Sequence, residues 1–215
     1  MAALEPEALR RRLAHVRWIG GGSGAGKSTI AGRLAAALGL QLYSTDAAMA
    51  GHAARCGPVR CPSLTAFRNM TMDERWLNRS PLEMLESFHW FRGEAFDLIV
   101  EDLLALPADR GVVVEGFRLL PRLVKPLLAS PADAVWLIPT PAFRRAAFES
   151  RGSLMEIPGR TSDPQRALQT LLERDALFTA RLAEEVAAQG LAAIPVDVGL
   201  TQPGLLQSVA ARLGL

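Results

Sequence analysis

Hydrophobic and polar positions along the chain fall into two kinds of block. Short, nearly continuous apolar runs recur at 16–20 (VRWIG), 40–46 (LQLYSTD), 111–116 (GVVVEG), 133–140 (DAVWLIPT) and 191–197 (LAAIPVD). Runs of this length, bounded by Gly, Pro or Asp, read as strands. Longer amphipathic blocks lie between them: 27–39, closed by Gly39; a segment from Ser80 to about Ala105; PAFRRAAFESRG from Pro141; 164–190, closed by Gly190; and about 203–213. These read as helices. Ser80, Pro81 and Glu83 have the spacing of a capping box with proline in the first turn, Pro107 stops that helix, and Gly93 is where it breaks or bends. Residues 47–79, with Gly57, Pro58 and Pro62, read as irregular, and 152–163 as a polar connection.

Strands separated by helices imply right-handed crossovers and a parallel sheet. Strands apolar on both faces imply cover on both sides. The expected architecture is α/β, a three-layer sandwich with a five-stranded parallel sheet. In such sheets ligands bind beyond the carboxyl ends of the strands, so the residues just after each strand are the ones to read.

One of those strand ends carries a strong signal. Gly21-Gly22-Ser23-Gly24-Ala25-Gly26-Lys27-Ser28 matches G-x-x-x-x-G-K-[ST] without departure, and Thr29 follows it. An apolar strand precedes it and a helix follows. Glycines let the backbone turn tightly and approach a phosphate closely. Successive N–H groups and the helix N-terminus then favour an anion. Lys27 is expected at the β- and γ-phosphates of a nucleotide and the Ser28 hydroxyl on Mg²⁺.

Length and charge narrow the class. The chain has 215 residues, 49% hydrophobic, with a formal net charge of +2. That length suits one domain. The charge balance gives no electrostatic footprint for nucleic acid. No apolar run approaches the ~18 residues of a membrane span. The N-terminal stretch MAALEPEALRRRLAHVRW is charged and amphipathic and lacks the apolar core of a secretory signal. A soluble cytoplasmic protein is expected. Cys56 and Cys61, with His52 nearby, lack zinc-like spacing and read as small loop or core residues.

With this motif near the N-terminus and this size, the chain resembles the small P-loop kinases. That superfamily includes nucleoside, uridine and nucleotide kinases, shikimate and gluconate kinases, 2-phosphoglycerate kinases and antibiotic phosphotransferases. VVEGFRLLP at 113–121 looks like the 2-phosphoglycerate kinase type of strand ending. The N-K-x-D motif of GTPases does not occur. The resemblance implies strand order 2-3-1-4-5, an acceptor segment at about 47–106 and a lid at about 144–163. It also implies ATP and Mg²⁺ as cofactors and a small-molecule acceptor as partner, with no nucleic acid and no membrane.

The remaining candidates follow. Asp46 ends the second strand, where a carboxylate can orient an acceptor hydroxyl and take its proton; a helix cap or turn role is the alternative. Glu115 ends the apolar run Val112-Val113-Val114 and is expected on Mg²⁺ with Ser28. Arg118 is a candidate for an anionic group. In the lid, Arg151 and Arg144 are expected at the transferring phosphoryl group and Arg160 at the nucleotide. Arg174 either joins them or pairs with neighbouring acids. The base is expected around residues 198–202. Acceptor specificity should come from 47–100, where Arg68, Arg75, Arg79 and Arg92 would suit an anionic acceptor, and Glu94, Asp97, Glu101 and Asp102 a polyhydroxyl or amino one. Phe88 and Phe91 read as core, and His89 as structural. The expected activity is transfer of the ATP γ-phosphoryl group to a hydroxyl of a small metabolite or antibiotic. Nucleoside or nucleoside monophosphate kinase is the nearest alternative, and a regulatory ATP-binding module the next.

Overall fold

The apolar runs build one sheet. In the computed structural model, which describes residues 5–215, the strands are β1 (Val16–Gly21), β2 (Gln41–Ser44), β3 (Val112–Glu115), β4 (Ala134–Pro139) and β5 (Ala192–Val196). All neighbours are parallel, in the order β2-β3-β1-β4-β5. Every parallel connection needs a crossover, and the chain supplies helices: α1 (Pro6–Arg12), α2 (Lys27–Leu38), α3 (Met49–Arg55), α4 (Pro62–Arg68), α5 (Met72–Trp76), α6 (Pro81–Ser87), α7 (His89–Arg92), α8 (Phe96–Ala105), α9 (Pro121–Val124), α10 (Pro141–Ser150), α11 (Pro164–Ala188) and α12 (Gln202–Leu213).

The strand period of two sorts the core into two clusters. Val16, Trp18, Val112, Val114, Ala134 and Trp136 face one side, against Ile99 and Leu103 of α8, Val124 of α9 and Phe178, Leu182 and Val186 of α11. Ile19, Val113, Val135, Leu137, Ile194 and Val196 face the other, against Ile30 and Leu34 of α2 and Leu205, Val209 and Leu213 of α12. This is the three-layer sandwich expected from the sequence. Trp136 is fully buried, and its Nε1 donates to the Leu119 carbonyl at 2.8 Å, which pins the turn after β3 to the middle of the sheet.

The segment between β2 and β3 departs from expectation. Residues 47–79 are not irregular but carry α3, α4 and α5. Each is too short to show a period. Their ends are closed partly by distant groups: the Glu94 carboxylate accepts from the Ser63 and Leu64 N–H groups at 2.8 Å each, capping α4 from 30 residues away. The long helix expected from Ser80 is three pieces, α6, α7 and α8. The Ser80–Glu83 capping box is present. The break comes at extended Phe88 and at left-handed Gly93 and Ala95. Aromatic residues all round this segment could not pack from one straight helix; breaking it lets each ring find a different neighbour.

Cys56 and Cys61 are paired as a disulfide, not separate residues as expected. A turn at Gly57, whose carbonyl accepts from the Cys61 N–H at 2.9 Å, brings their backbones together. The pair joins the end of α3 to the start of α4, and both cysteines pack with Leu64, Trp90 and Leu98. The first four residues of the amphipathic N-terminal stretch lie outside the described residues. Among the described residues no helix is long and apolar enough to cross a membrane.

The Trp136 side chain gives the architecture a direct check. Trp136→Ala is expected to lower the unfolding free energy by about 3–5 kcal/mol, the cost of emptying a large buried ring site. Val59→Ala, at a position 97% exposed, is expected to change it by less than about 0.5 kcal/mol. Denaturant unfolding of both variants measures the difference.

Candidate active site

The chain between β1 and α2 forms a loop at the carboxyl edge of the sheet. Gly24 (φ 75°) and Gly26 (φ 82°) are left-handed, a conformation that side chains resist. Gly26 caps α2, so the first backbone N–H groups of this helix are free to meet a ligand. Lys27 is 6% exposed, and its Nζ donates to the Gly22 carbonyl at 2.8 Å across the loop. Burial lowers the Lys27 pKa; Asp46, Glu115 and Asp175 act to raise it, and Arg151 to lower it further. An ammonium held in this way has been stripped of water and is ready to pair with an anion.

Arg144 braces the loop from below. It is 2% exposed, its Nε donates to the Ser23 carbonyl at 3.3 Å, and its Nη2 donates to Thr179 Oγ1. Burial lowers its pKa. It thus links α10 and α11 to the backbone of the loop.

Glu115 lies between β1 and β2, fully buried at the end of β3. Its Oε1 accepts from the Ser44 hydroxyl at 2.5 Å and its Oε2 from the Ser28 hydroxyl at 3.1 Å. Ser44 sits opposite Glu115 in the β2–β3 register. Sequence reasoning named Ser28 and Glu115 but passed over Ser44; its position in YSTD, level with Glu115 once the strands pair, is the signal that would have found it. Carboxylate and hydroxyl oxygens are the donors a hard cation such as Mg²⁺ takes, with water and phosphate filling its other positions. The residues present therefore fit Mg²⁺.

Asp46 follows β2 and is part-buried. Two features hold it. The Thr45 N–H donates to the Glu115 carbonyl at 2.9 Å. Gly116, at φ 148°, lies so close to Thr45 that any side chain there would collide with the threonine hydroxyl. Arg118, expected to meet an anion, does something else. It is 2% exposed, and its Nη1 donates to the Thr45 carbonyl at 3.3 Å and to His52 Nδ1 at 2.9 Å, while its Nη2 donates to the Ala95 carbonyl at 3.1 Å. Its guanidinium lies over the Trp90 ring, 4.1 Å from the centroid. Burial pushes its pKa down to about 10. His52 completes the network: with Nδ1 accepting, Nε2–H donates to Asp102 at 2.7 Å, and Tyr43 donates to the same oxygen at 2.7 Å. That assigns His52 as the neutral Nε2–H tautomer. The network fixes the backbone just before Asp46 rather than offering a free cation.

Two recesses meet at the glycine-rich loop. One, of about 430 Å³, is lined by Lys27, Ser28, Asp46, Arg151, Arg174, Asp175 and a wall of aromatic residues. The other, of about 370 Å³, is lined by Thr29, Phe143, Ala147, Val198, Leu200 and Gln202. Gly24, Gly26 and Arg151 line both. Arg160 is exposed in a 3-10 turn and is not among the lining residues of either. The connection between α10 and α11 is tied down by Asp73, whose carboxylate accepts from the Ser162 N–H at 2.8 Å and its hydroxyl at 2.6 Å; these bonds lower the Asp73 pKa.

The charged residues offered for acceptor specificity do not line the cleft and are engaged elsewhere. Arg75 donates to the Phe67 and Arg68 carbonyls, and Arg79 to the Glu74 and Arg75 carbonyls. Arg92 reaches the Glu86 carbonyl and Arg68 the Ala53 carbonyl. Asp97, Glu101 and Asp102 pair with Arg60 and Arg55. Arg174 makes the ion pair that was one of its two expected roles, with Asp175 at 2.6 Å, yet both line the cleft. Asp175 carried no local signal.

His89, 3% exposed among Phe67, Phe88 and Trp90, has its pKa lowered to about 4 by burial. A histidine buried neutral must charge in acid, and the unfolded chain takes the proton more readily. Its contribution to stability is complete above the ordinary value of 6.5 and is lost as pH falls from there toward about 4. The melting temperature is therefore expected to fall across this window. His89→Gln should flatten that part of the profile, and an unchanged profile would contradict the assignment.

No protein-family model matches the chain, and no curated protein does. The parallel sheet, its strand order and its helical cover are compatible with a P-loop kinase-like fold.

Proposed function

We propose that this protein is an ATP- and Mg²⁺-dependent phosphotransferase that moves the γ-phosphoryl group of ATP to a hydroxyl of a small molecule. What carries the reading is one juxtaposition: the glycine-rich loop with Lys27 lies between two recesses, and Asp46 and Glu115 stand beside it on adjacent strand ends. The base and ribose of ATP take the recess at 198–202, and the acceptor takes the one facing Asp46.

Each residue then has a task. The loop N–H groups and Lys27 hold the phosphates. Ser28 and Glu115 would hold Mg²⁺, which when bound supplies charge neutralisation on the β- and γ-phosphate oxygens. Asp46 orients the acceptor hydroxyl and accepts its proton. Arg151, lining both recesses, steadies charge on the transferring group. Arg144 acts by holding the loop in shape. Phe148 and Ile157 of the lid region line the acceptor cleft and help exclude water. A cytoplasmic setting, where ATP is supplied, suits the reaction. A nucleoside monophosphate acceptor is less well served, because no arginine of 47–100 lines the cleft.

The test is Mg-ATP turnover to ADP with and without pools of hydroxyl acceptors. Acceptor-stimulated release is expected, lost in Lys27→Ala. Asp46→Asn is expected to lower kcat by about 10²–10⁴-fold, the worth of a positioned general base, with the KM for ATP little altered. ATP binding without stimulation by any pool, and indifference to Asp46→Asn, would point instead to a regulatory nucleotide-binding module.

A further inference from the structure

The reaction proposed above makes no use of the Cys56–Cys61 disulfide. As a staple the bond does little. The cysteines are 5 residues apart, and a cross-link over so short a loop constrains the unfolded chain least. The loop is also fastened without it. The Gly57 carbonyl accepts from the Cys61 N–H at 2.9 Å, and Glu94 caps the start of α4 just beyond. Arg55 and Arg60, each the residue before a cysteine, share Glu101. Arg55 Nη2 donates to Glu101 Oε2 at 2.5 Å, and Arg60 Nη2 to Oε1 at 3.0 Å. Asp102 and Asp97 hold the same arginines again. These bonds keep the two backbones adjacent whether or not the sulfurs are joined. The Cα atoms are 5.6 Å apart, within the range a disulfide spans. Opened thiols therefore stay poised to close again.

The loop also lies open to solvent. Gly57, Pro58, Val59 and Arg60 are all exposed. Cys56 keeps 9% of its surface and Cys61 none, so Cys56 Sγ is the sulfur an incoming thiolate reaches. The chain has 2 cysteines, so no internal thiol competes for the bond. The cytoplasmic setting proposed above is reducing, and disulfides there are mostly transient, catalytic or sensing. The bond joins the end of α3 to the start of α4. Met49 of α3 and Phe67 of α4 both line the cleft that faces Asp46. His52 of α3 is the partner of Arg118.

We propose that Cys56–Cys61 is a reversible redox site, opened by a dithiol reductant, whose state sets how firmly α3 and α4 hold their wall of the cleft. A reductant thiolate bonds to Cys56 Sγ, the bond to Cys61 breaks, and Cys61 leaves with the electron pair. The reductant's other thiolate then attacks its own sulfur in the mixed disulfide, and Cys56 leaves. The protons lost by the dithiol end on the cysteines, and two electrons pass from dithiol to protein. A small dithiol and a dithiol protein share this chemistry. That the cleft holds an acceptor rests on the phosphotransferase reading; the thiol chemistry does not.

The test uses the full chain, with free thiols counted by maleimide labelling without denaturant. Dithiothreitol represents a small dithiol and reduced thioredoxin a dithiol protein. The oxidised protein is expected to label at neither cysteine. A dithiol should open both while circular dichroism stays native, and oxidised glutathione should close the bond again. Opening by thioredoxin alone, or by dithiothreitol as well, names the source. On reduction, hydrogen exchange across α3 and α4 should quicken by about tenfold or more, the scale of a lost disulfide constraint. Exchange in α2 should not change. Cys61→Ser should exchange like the reduced chain and ignore dithiols, and Cys56→Ser serves if it does not fold. Arg60→Gln should slow reclosure by about two- to fivefold, the worth of two partly exposed ion pairs. With an acceptor in hand, reduction should raise the acceptor KM and leave the KM for ATP in place. If no acceptor releases ADP, the kinase reading fails, and the thiol and exchange results still decide this proposal. Thiols that open only in denaturant, thiols that never pair, exchange indifferent to reduction, or failure of both serine variants to fold would overturn it.

Discussion

The buried carboxylate of Glu115 is the constraint on which the site depends. A charge at the end of an apolar strand, with no exposure, must be met by donors. The donors are the hydroxyls of Ser28 and Ser44, so one side chain ties the start of α2 to the end of β2. The same register carries the Thr45 N–H onto the Glu115 carbonyl and sets where Asp46 leaves the sheet. The glycine-rich loop, Asp46 and the clustered oxygens of Ser28, Ser44 and Glu115 are thereby positioned together.

Around this centre the chain uses arginine as a fastener more than as a reagent. Arg144 clamps the loop carbonyl of Ser23 to Thr179, and Arg118 clamps Thr45, His52 and Ala95. Planar, multiply donating groups suit this work, since one side chain satisfies carbonyls from several elements. The cost is burial of charge, visible in the lowered pKa of both. The return is a rigid floor under the loop and behind Asp46. Arg151, exposed at the end of α10 and bordering both recesses, is by contrast placed to respond to a ligand.

The sheet was legible because its central strands β1, β3 and β4 are buried on nearly every position and end in glycine, acid and proline, so each run announces its own limits. The loop was legible because its glycines, lysine and serine act through local backbone geometry. Where contacts run far along the chain, legibility failed. Residues 47–79 hid α3, α4 and α5 because helices of five to seven residues are too short to show a period, and because the cap of α4 comes from Glu94. Arg118 beside an acid looked like an anion binder, but its partners, Thr45, His52 and Ala95, are brought to it only by the fold. Ser44 and Asp175 gained meaning in the same way. The pairing of Cys56 with Cys61 depended on a turn that composition did not reveal.

Phosphoryl transfer itself is the central claim, and phosphorus NMR observes it most directly. Mg-ATP and pooled hydroxyl acceptors would be followed with the protein present. A new phosphomonoester resonance is expected that grows one-for-one with ADP and fails to appear when Lys27 is replaced by alanine. Release of inorganic phosphate alone, or an ATP spectrum that never changes with any acceptor, would contradict it.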